Sequence, residues 1–261
     1  MVIINPSNPT GAVLKQEHIY DILKFAHKHG IVLIGDEVYQ HNVYTGNQFI
    51  SLRKAVHNIE SPYNNVSIVS LNSISKGYLG EGGMRGGYID FYNIDPEVLK
   101  QIHKIRDPYN INVTGSIVMG ILCDPPTYEN ASKEVVDQYN KERDEILNSL
   151  ETKVKMTMEM FSQCKGIKCQ AINGALYAFP RLFLPESVIE LAKKEKLTPC
   201  EYFCKRMVEE TGIITTPGSV FGQKPGTHHF RMSILIWDLK EFAKMLELMK
   251  NFINKFFETY N

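Results

Sequence analysis

Lys76 stands in the stretch Ser73-Ile74-Ser75-Lys76-Gly77-Tyr78, directly after the strand-like run Ile68–Leu71. An amine held partly out of water loses proton affinity and becomes a usable nucleophile, able to bond covalently to a cofactor. The plain alternative is a solvated surface lysine. Asp36, in Gly35-Asp36-Glu37-Val38-Tyr39, falls just past the buried run Ile31–Ile34. An aspartate in a cleft there could face a cationic ring nitrogen and keep it protonated. Taken alone, a helix N-cap or a surface acid explains it better. Arg85 lies in Gly80-Glu81-Gly82-Gly83-Met84-Arg85-Gly86-Gly87. That segment misses the GxGxxG spacing and leads into a strand, so it is no dinucleotide loop. Its glycines would instead let backbone and guanidinium approach a bulky anion, which arginine grips through two parallel hydrogen bonds. Arg231 interrupts the apolar strand Phe230-Arg231-Met232-Ser233; it suits a carboxylate, or simply an exposed strand edge. Asn8, in Asn5-Pro6-Ser7-Asn8-Pro9-Thr10-Gly11, aims an amide into a cleft at a strand's carboxyl end, or belongs to a rigid turn.

The elements that must position these residues follow from periodicity. Apolar residues at Ile19, Ile22, Leu23 and Ala26 place a helix over Gln16–His29, stopped by Gly30. Val2–Ile4, Ile31–Ile34, Ser67–Leu71 and Gly87–Phe91 are the strand candidates before residue 92. Strand, helix, strand at this spacing implies an open, mostly parallel α/β sheet. Helices are expected from Pro96 to about Ile105 and from about Thr114 to Leu122. A long helix opens at Ser132, with Val135, Tyr139, Ile146, Leu150, Val154, Met158 and Phe161 as its apolar seam. At 1.5 Å per residue it would span ~45 Å, more than one small domain needs. It is therefore expected to join residues 1–140, part of a large domain, to residues 141–261, a smaller α+β domain. In the latter, strands are expected at Lys168–Ile172, Ala175–Phe179, Ile213–Thr215 and Phe230–Ile234, with helices after Pro185 and Pro199 and from Leu239 to Phe257.

Composition narrows the partners. The 261 residues carry 29 basic and 29 acidic side chains, so no net field favours nucleic acid or an anionic membrane. No apolar run approaches the roughly 18 residues of a membrane helix. Five cysteines with no CxxC read as reduced thiols of a cytoplasm-like compartment. Cys200 and Cys204, at i,i+4, are not expected to hold a metal.

Taken together and in order, NPxNPTG, D-x-x-Y, S-x-S-K, Arg85 and a late Arg231 resemble the pyridoxal-phosphate-dependent aminotransferases of fold type I, class I/II. "SKGYLGEGGMRGGY", "INGALYAFPRLFLP" and "TPGSVFGQKPGTHHFRMSIL" are similar to the alanine aminotransferase branch, and the resemblance runs from Asn5 to about Leu235. It implies pyridoxal 5'-phosphate as cofactor, with Lys76 forming the internal aldimine and shuttling the proton between substrate and cofactor. Asp36 would pair with the pyridinium nitrogen. Tyr39 and Asn8 would hydrogen-bond the phenolic oxygen. Arg85 and Ser73, with Ser75 as a further candidate, would hold the phosphate, and Arg231 would bind the substrate α-carboxylate beside Asn8.

The implied reaction moves the amino group of L-alanine to 2-oxoglutarate, with amino acids and 2-oxo acids as small-molecule partners and a homodimer as the assembly. The address would be cytoplasmic, with a mitochondrial one left open. The family also carries a large portion ahead of NPxNPTG, including a second phosphate-binding loop. The chain is thus expected to be the C-terminal part of such an enzyme, with an incomplete large-domain sheet. The Asn8-Pro9 bond is expected to be cis. The alternatives are a lyase or synthase of the same fold, sharing the same residue set, and a non-catalytic remnant.

Overall fold

A computed structural model of the chain describes residues 1–44, 46–106, 112–236 and 238–260. They divide into two units: Met1–Ser7 with Val13–Ile146, and Asn8–Ala12 with Leu147–Asn261.

The first unit is built on a four-stranded sheet, β1 (Val2–Ile4), β2 (Leu33–Asp36), β3 (Ile68–Ser73) and β4 (Gly87–Tyr92), in that spatial order. The first three are parallel and β4 is antiparallel to β3. Helix α1 (Gln16–His29) makes the crossover from β1 to β2 and ends at Gly30, whose φ of 61° returns its N–H to the last carbonyls. Helix α2 (Leu52–Asn58) is capped by the Ser51 side chain, which accepts the Lys54 N–H. These two helices cover one face of the sheet: Ile19, Leu23, Leu52 and Val56 pack with Leu33 and Ile68 in one buried cluster. On the other face Ile34, Val69 and Leu71 are only half-buried, and Ile89 is 54% exposed. Helices α3 (Pro96–Arg106) and α4 (Val113–Cys123) follow, with Asn112 capping α4.

The sheet starts later than the hydrophobic run does. The Ile31 N–H still bonds back to the Ala26 carbonyl at 2.9 Å, while the ladder opens with Leu33 N–H to Ser67 O at 3.0 Å. Ile31 thus completes the helix exit, and β2 ends on Asp36 rather than before it.

Helix α5 (Lys133–Ser162) has 30 residues, the first part in the first unit and the remainder in the second. Its buried seam starts at Val136, 2% exposed, whereas Val135 is 51% exposed. The second unit adds β5 (Ile167–Lys168), β6 (Tyr177–Ala178), β7 (Arg181–Leu182), α6 (Glu186–Lys194), α7 (Pro199–Thr211), β8 (Thr216–Pro217), β9 (His228–Ser233) and α8 (Leu239–Tyr260). Its strands are antiparallel in the order β5-β7-β9-β6, with β8 also paired to β9. Thr198 and Glu201 cap α7 reciprocally, with Pro199 at its start. Phe203 of α7 gathers Phe230, Phe252 and Phe256 at centroid distances of 5.4, 5.5 and 5.0 Å.

The strands here are shorter than expected for a local reason. The N–H groups of Asn173 and Gly174 both bond to the Gly11 carbonyl, and Ala175 has φ 60°. That segment serves the Asn8–Ala12 turn instead of a ladder. No helix among the described residues is long and apolar enough to cross a membrane.

Candidate active site

Three parallel strands bring their carboxyl ends to one edge of the first sheet, the usual place for a ligand in an open α/β sheet. Asp36 is the last residue of β2, opposite Ile4 and Leu71. Past it the chain folds into successive turns, Gln40 N–H to Glu37 O at 3.0 Å and Asn42 N–H to Tyr39 O at 2.8 Å. No helix begins there, so Asp36 is not a helix cap. Its Oδ1 lies 3.5 Å from the Val38 nitrogen. Tyr39 is buried within the same turns.

Ser73 ends β3, and its Oγ accepts the Ser75 N–H at 3.3 Å. Lys76 follows, half-buried, and its carbonyl accepts the Gly80 N–H at 3.2 Å. Gly77 has φ 71°, a left-handed conformation that favours glycine. Arg85, exposed and itself at φ 54°, donates from Nη1 to the Gly82 carbonyl at 2.8 Å. Because Gly87 pairs with Ser73 across β3 and β4, Arg85 arrives at the same sheet edge as Ser73 and Ser75.

The glycines of this loop have a different job from the one their sequence suggests. A Cβ on Gly86 would run into the Gly115 backbone of α4, and one on Gly87 would lie 2.7 Å from the Asn72 carbonyl. Both are required by packing against protein. Gly80 and Gly83 have nothing within 4 Å of a Cβ, and one at Gly82 would meet only Ser75, at 3.8 Å or more.

Sequence reasoning overlooked three side chains in the run Asp36–Asn42. Glu37 is 3% exposed and accepts the Leu52 N–H at 2.7 Å. Burial pushes its carboxyl up to about 7, against the pull of the Leu52 N–H; the charges of Asp90 and Asp36 push the same way as burial. His41 packs edge-on to Tyr78 at 5.1 Å, and burial together with Arg143 lowers its proton affinity. Asn42 is wholly buried, with both amide atoms bonded to Gly77. The available signal was proximity: each lies within six residues of Asp36.

Asn8 and Arg231 meet in the second unit. Arg231 Nη1 donates to Asn8 Oδ1 at 3.0 Å and Nη2 to Thr216 Oγ1 at 3.4 Å. Strand β9 has β8 on one side, with Thr216 opposite Arg231, and β6 and β7 in one register on the other, so Arg231 is not an edge residue. Its guanidinium lies over the Tyr177 ring at 4.5 Å and the Phe221 ring at 5.0 Å, contacts that hold its plane. The Asn8 turn is fixed by Gly11, whose φ is 69° and whose Cβ position is crowded by Ile172, Gly174 and Tyr177. The Asn8-Pro9 bond is cis, as are Asn5-Pro6 and Ser61-Pro62.

Residues 1–244 match the family model of aminotransferase class I and II. Over 264 aligned residues the chain is 40% identical to alanine aminotransferase 1 of Mus musculus, covering 100% of this chain and 52% of that protein. It is 39% identical to glutamate–glyoxylate aminotransferase 1 of Arabidopsis thaliana, covering 100% of this chain and 54% of that one. The fold is similar to that of alanine aminotransferase from Pyrococcus furiosus, with a TM-score of 0.77 at 21% identity, over 97% of this chain and 57% of that chain. The chain spans about half the length of the curated relatives it matches. It belongs to the class I and II aminotransferases.

Proposed function

We propose that the protein is a pyridoxal-phosphate-dependent aminotransferase that moves the amino group of L-alanine to 2-oxoglutarate, giving pyruvate and glutamate. The observation that carries this reading is the arrival of Asp36, Ser73, Lys76 and Arg85 at one edge of a parallel sheet. The likeness to mouse alanine aminotransferase 1 supports the choice of alanine.

The donor set fits the cofactor. A guanidinium and two serine hydroxyls beside the open Gly82–Gly83 backbone match a phosphate monoester, a half-buried amine matches an aldehyde, and a carboxylate at a strand end matches a pyridinium. When bound, the cofactor supplies a protonated ring that takes up the electron pair left as the substrate Cα–H bond breaks.

Each residue then has a definite task. Arg85 and Ser73, with Ser75 as a further donor, would hold the phosphate. Lys76 would bond to the aldehyde carbon, and once displaced its Nζ would take the proton leaving Cα. Asp36 would keep the ring nitrogen protonated, and Tyr39 and Asn8 would donate to the phenolic oxygen. Arg231, its plane already set by Tyr177 and Phe221, would take the substrate α-carboxylate. Homodimer assembly and a cytoplasmic address belong to the same reading. They rest on the family resemblance and the cysteine pattern, and sedimentation and cell fractionation test them.

The experiment is a half-reaction. The chain is loaded with pyridoxal phosphate and mixed with L-alanine, and pyruvate is measured against the aminated cofactor. Equal amounts of both are expected, and Lys76→Ala abolishes both. Ammonia release without the aminated cofactor would favour a lyase. A second reading, glutamate donating to glyoxylate, is favoured by the plant relative; it predicts faster amination by glutamate than by alanine.

A further inference from the structure

Asn42 spends its whole side chain on one residue. Its Oδ1 accepts the Gly77 N–H at 3.1 Å and its Nδ2 donates to the Gly77 carbonyl at 3.2 Å. The side chain is 0% exposed, so an unmade bond at either atom would leave a buried polar group without a partner. The amide thus pairs with Gly77 as a peptide group of an adjacent strand would. Gly77 follows Lys76 directly. Its left-handed φ of 71° lets both its polar groups face the amide, and a Cβ there would meet His41 Nδ1 at 3.4 Å. Asn42 in turn closes the turns that begin at Asp36, through its own N–H to Tyr39 O at 2.8 Å.

We infer that Asn42 is a positioning residue for Lys76: its side-chain amide ties the loop carrying the lysine to the loop carrying Asp36 and Tyr39. The inference rests on the reading of Lys76 as the cofactor lysine. It adds the device that fixes where the amine is held relative to the carboxylate. Misplacing a reacting group by about 1 Å can cost roughly 100-fold in rate, so even a loosened tether is measurable.

The test compares the wild-type chain with Asn42→Ala and with the isosteric Asn42→Asp, which keeps an acceptor for the Gly77 N–H and loses the donor. Each cofactor-free chain is exposed briefly to pyridoxal 5'-phosphate, trapped with borohydride and mapped by peptide. Labelling of Lys76 is read as a ratio to labelling of the exposed Lys54. Amide exchange at Gly77 is measured in parallel, with the buried α1 residue Leu23 as reference. The ratio is expected to fall about 10-fold or more in Asn42→Ala and less in Asn42→Asp, with Gly77 exchange faster in both and Leu23 unchanged.

A lowered melting temperature with an unchanged Lys76 to Lys54 ratio would make Asn42 merely structural and overturn the inference. Label on Lys76 at the same rate in the wild-type chain and both variants does the same. Wild-type label on another lysine overturns the reading of Lys76, and the inference with it. Should Asn42→Ala fail to fold, Asn42→Asp carries the comparison. An unprotected Gly77 amide in wild type refutes the tether without any variant.

Discussion

Glu37→Gln separates the charge of a buried carboxyl from its hydrogen bond. Glu37 sits one residue past the end of β2, 3% exposed, with Oε1 accepting the Leu52 N–H at 2.7 Å where α2 begins. Burial raises its carboxyl from 4.5 to about 7, and the nearby carboxylates of Asp90 and Asp36 add to the effect. A carboxyl whose folded value is raised binds its proton more tightly in the native chain than in the unfolded one. Its contribution to stability is therefore fully present below pH 4.5 and is lost as the pH rises to about 7. At 1.36 kcal/mol per pH unit, the interval corresponds to about 3 kcal/mol. Glutamine keeps an acceptor oxygen for the Leu52 N–H and cannot ionise.

The assay is urea unfolding of both chains from about pH 4 to about pH 8, read as the difference between them so that every other titration cancels. Glu37→Gln should gain roughly 2–3 kcal/mol relative to wild type across that range, with most of the change between pH 4.5 and 7. At the acid end the difference should be small, because both side chains are then neutral acceptors. A difference that stays constant with pH would refute the argument and mean that Glu37 is ionised at no cost. A difference that moves in the opposite direction would mean that the Leu52 N–H outweighs desolvation.

Asp36→Asn should leave pyridoxal phosphate binding largely intact and slow the half-reaction with alanine by about 100-fold or more, since a neutral amide cannot keep the ring nitrogen protonated; an unchanged rate would contradict the role. Arg231→Lys keeps the charge but loses both the fork and the stacking on Tyr177 and Phe221, so half-saturation for alanine and for pyruvate should rise about 10-fold or more with the cofactor spectrum preserved. Parallel loss of the cofactor would make Arg231 structural. Gly166→Ala combines a φ of 67° with a methyl driven into the Phe257 ring and should cost about 2 kcal/mol or more in unfolding experiments; a neutral effect would mean the α8 packing yields freely.

The helices were legible wherever one face repeats for several turns. Gln16–His29 is bounded as its periodicity says, and so within a residue or two are α3, α4 and α5. Helix α2 was not, because its seven residues are too few to establish a period and its cap is a single serine. In the second unit Tyr177–Ala178 falls within the expected run Ala175–Phe179 but is shorter, and Arg181–Leu182 was not expected, because it pairs with β9 over only two residues. The antiparallel direction of β4 also left no mark on residues 87–92, since a strand's composition does not encode the direction of its neighbour.

The candidate site was legible as residue types in a given order, and its geometry was not. Lys76, Asp36 and Arg85 each have a plain surface reading and stand out only as a set. Asn42 does not stand out, because a buried asparagine is informative only once its partner is known, and Gly77 lies 35 residues away. The glycine-rich loop shows the converse. Its composition suggests a cradle for an anion, yet Gly86 and Gly87 are fixed by the backbones of Gly115 and Asn72. Replacing either would displace α4 or β4 before it touched any ligand, whereas Gly83 has open space beside it. A glycine's neighbours, rather than the glycine itself, decide whether it serves a ligand or the fold, and those neighbours come from segments the local sequence cannot name.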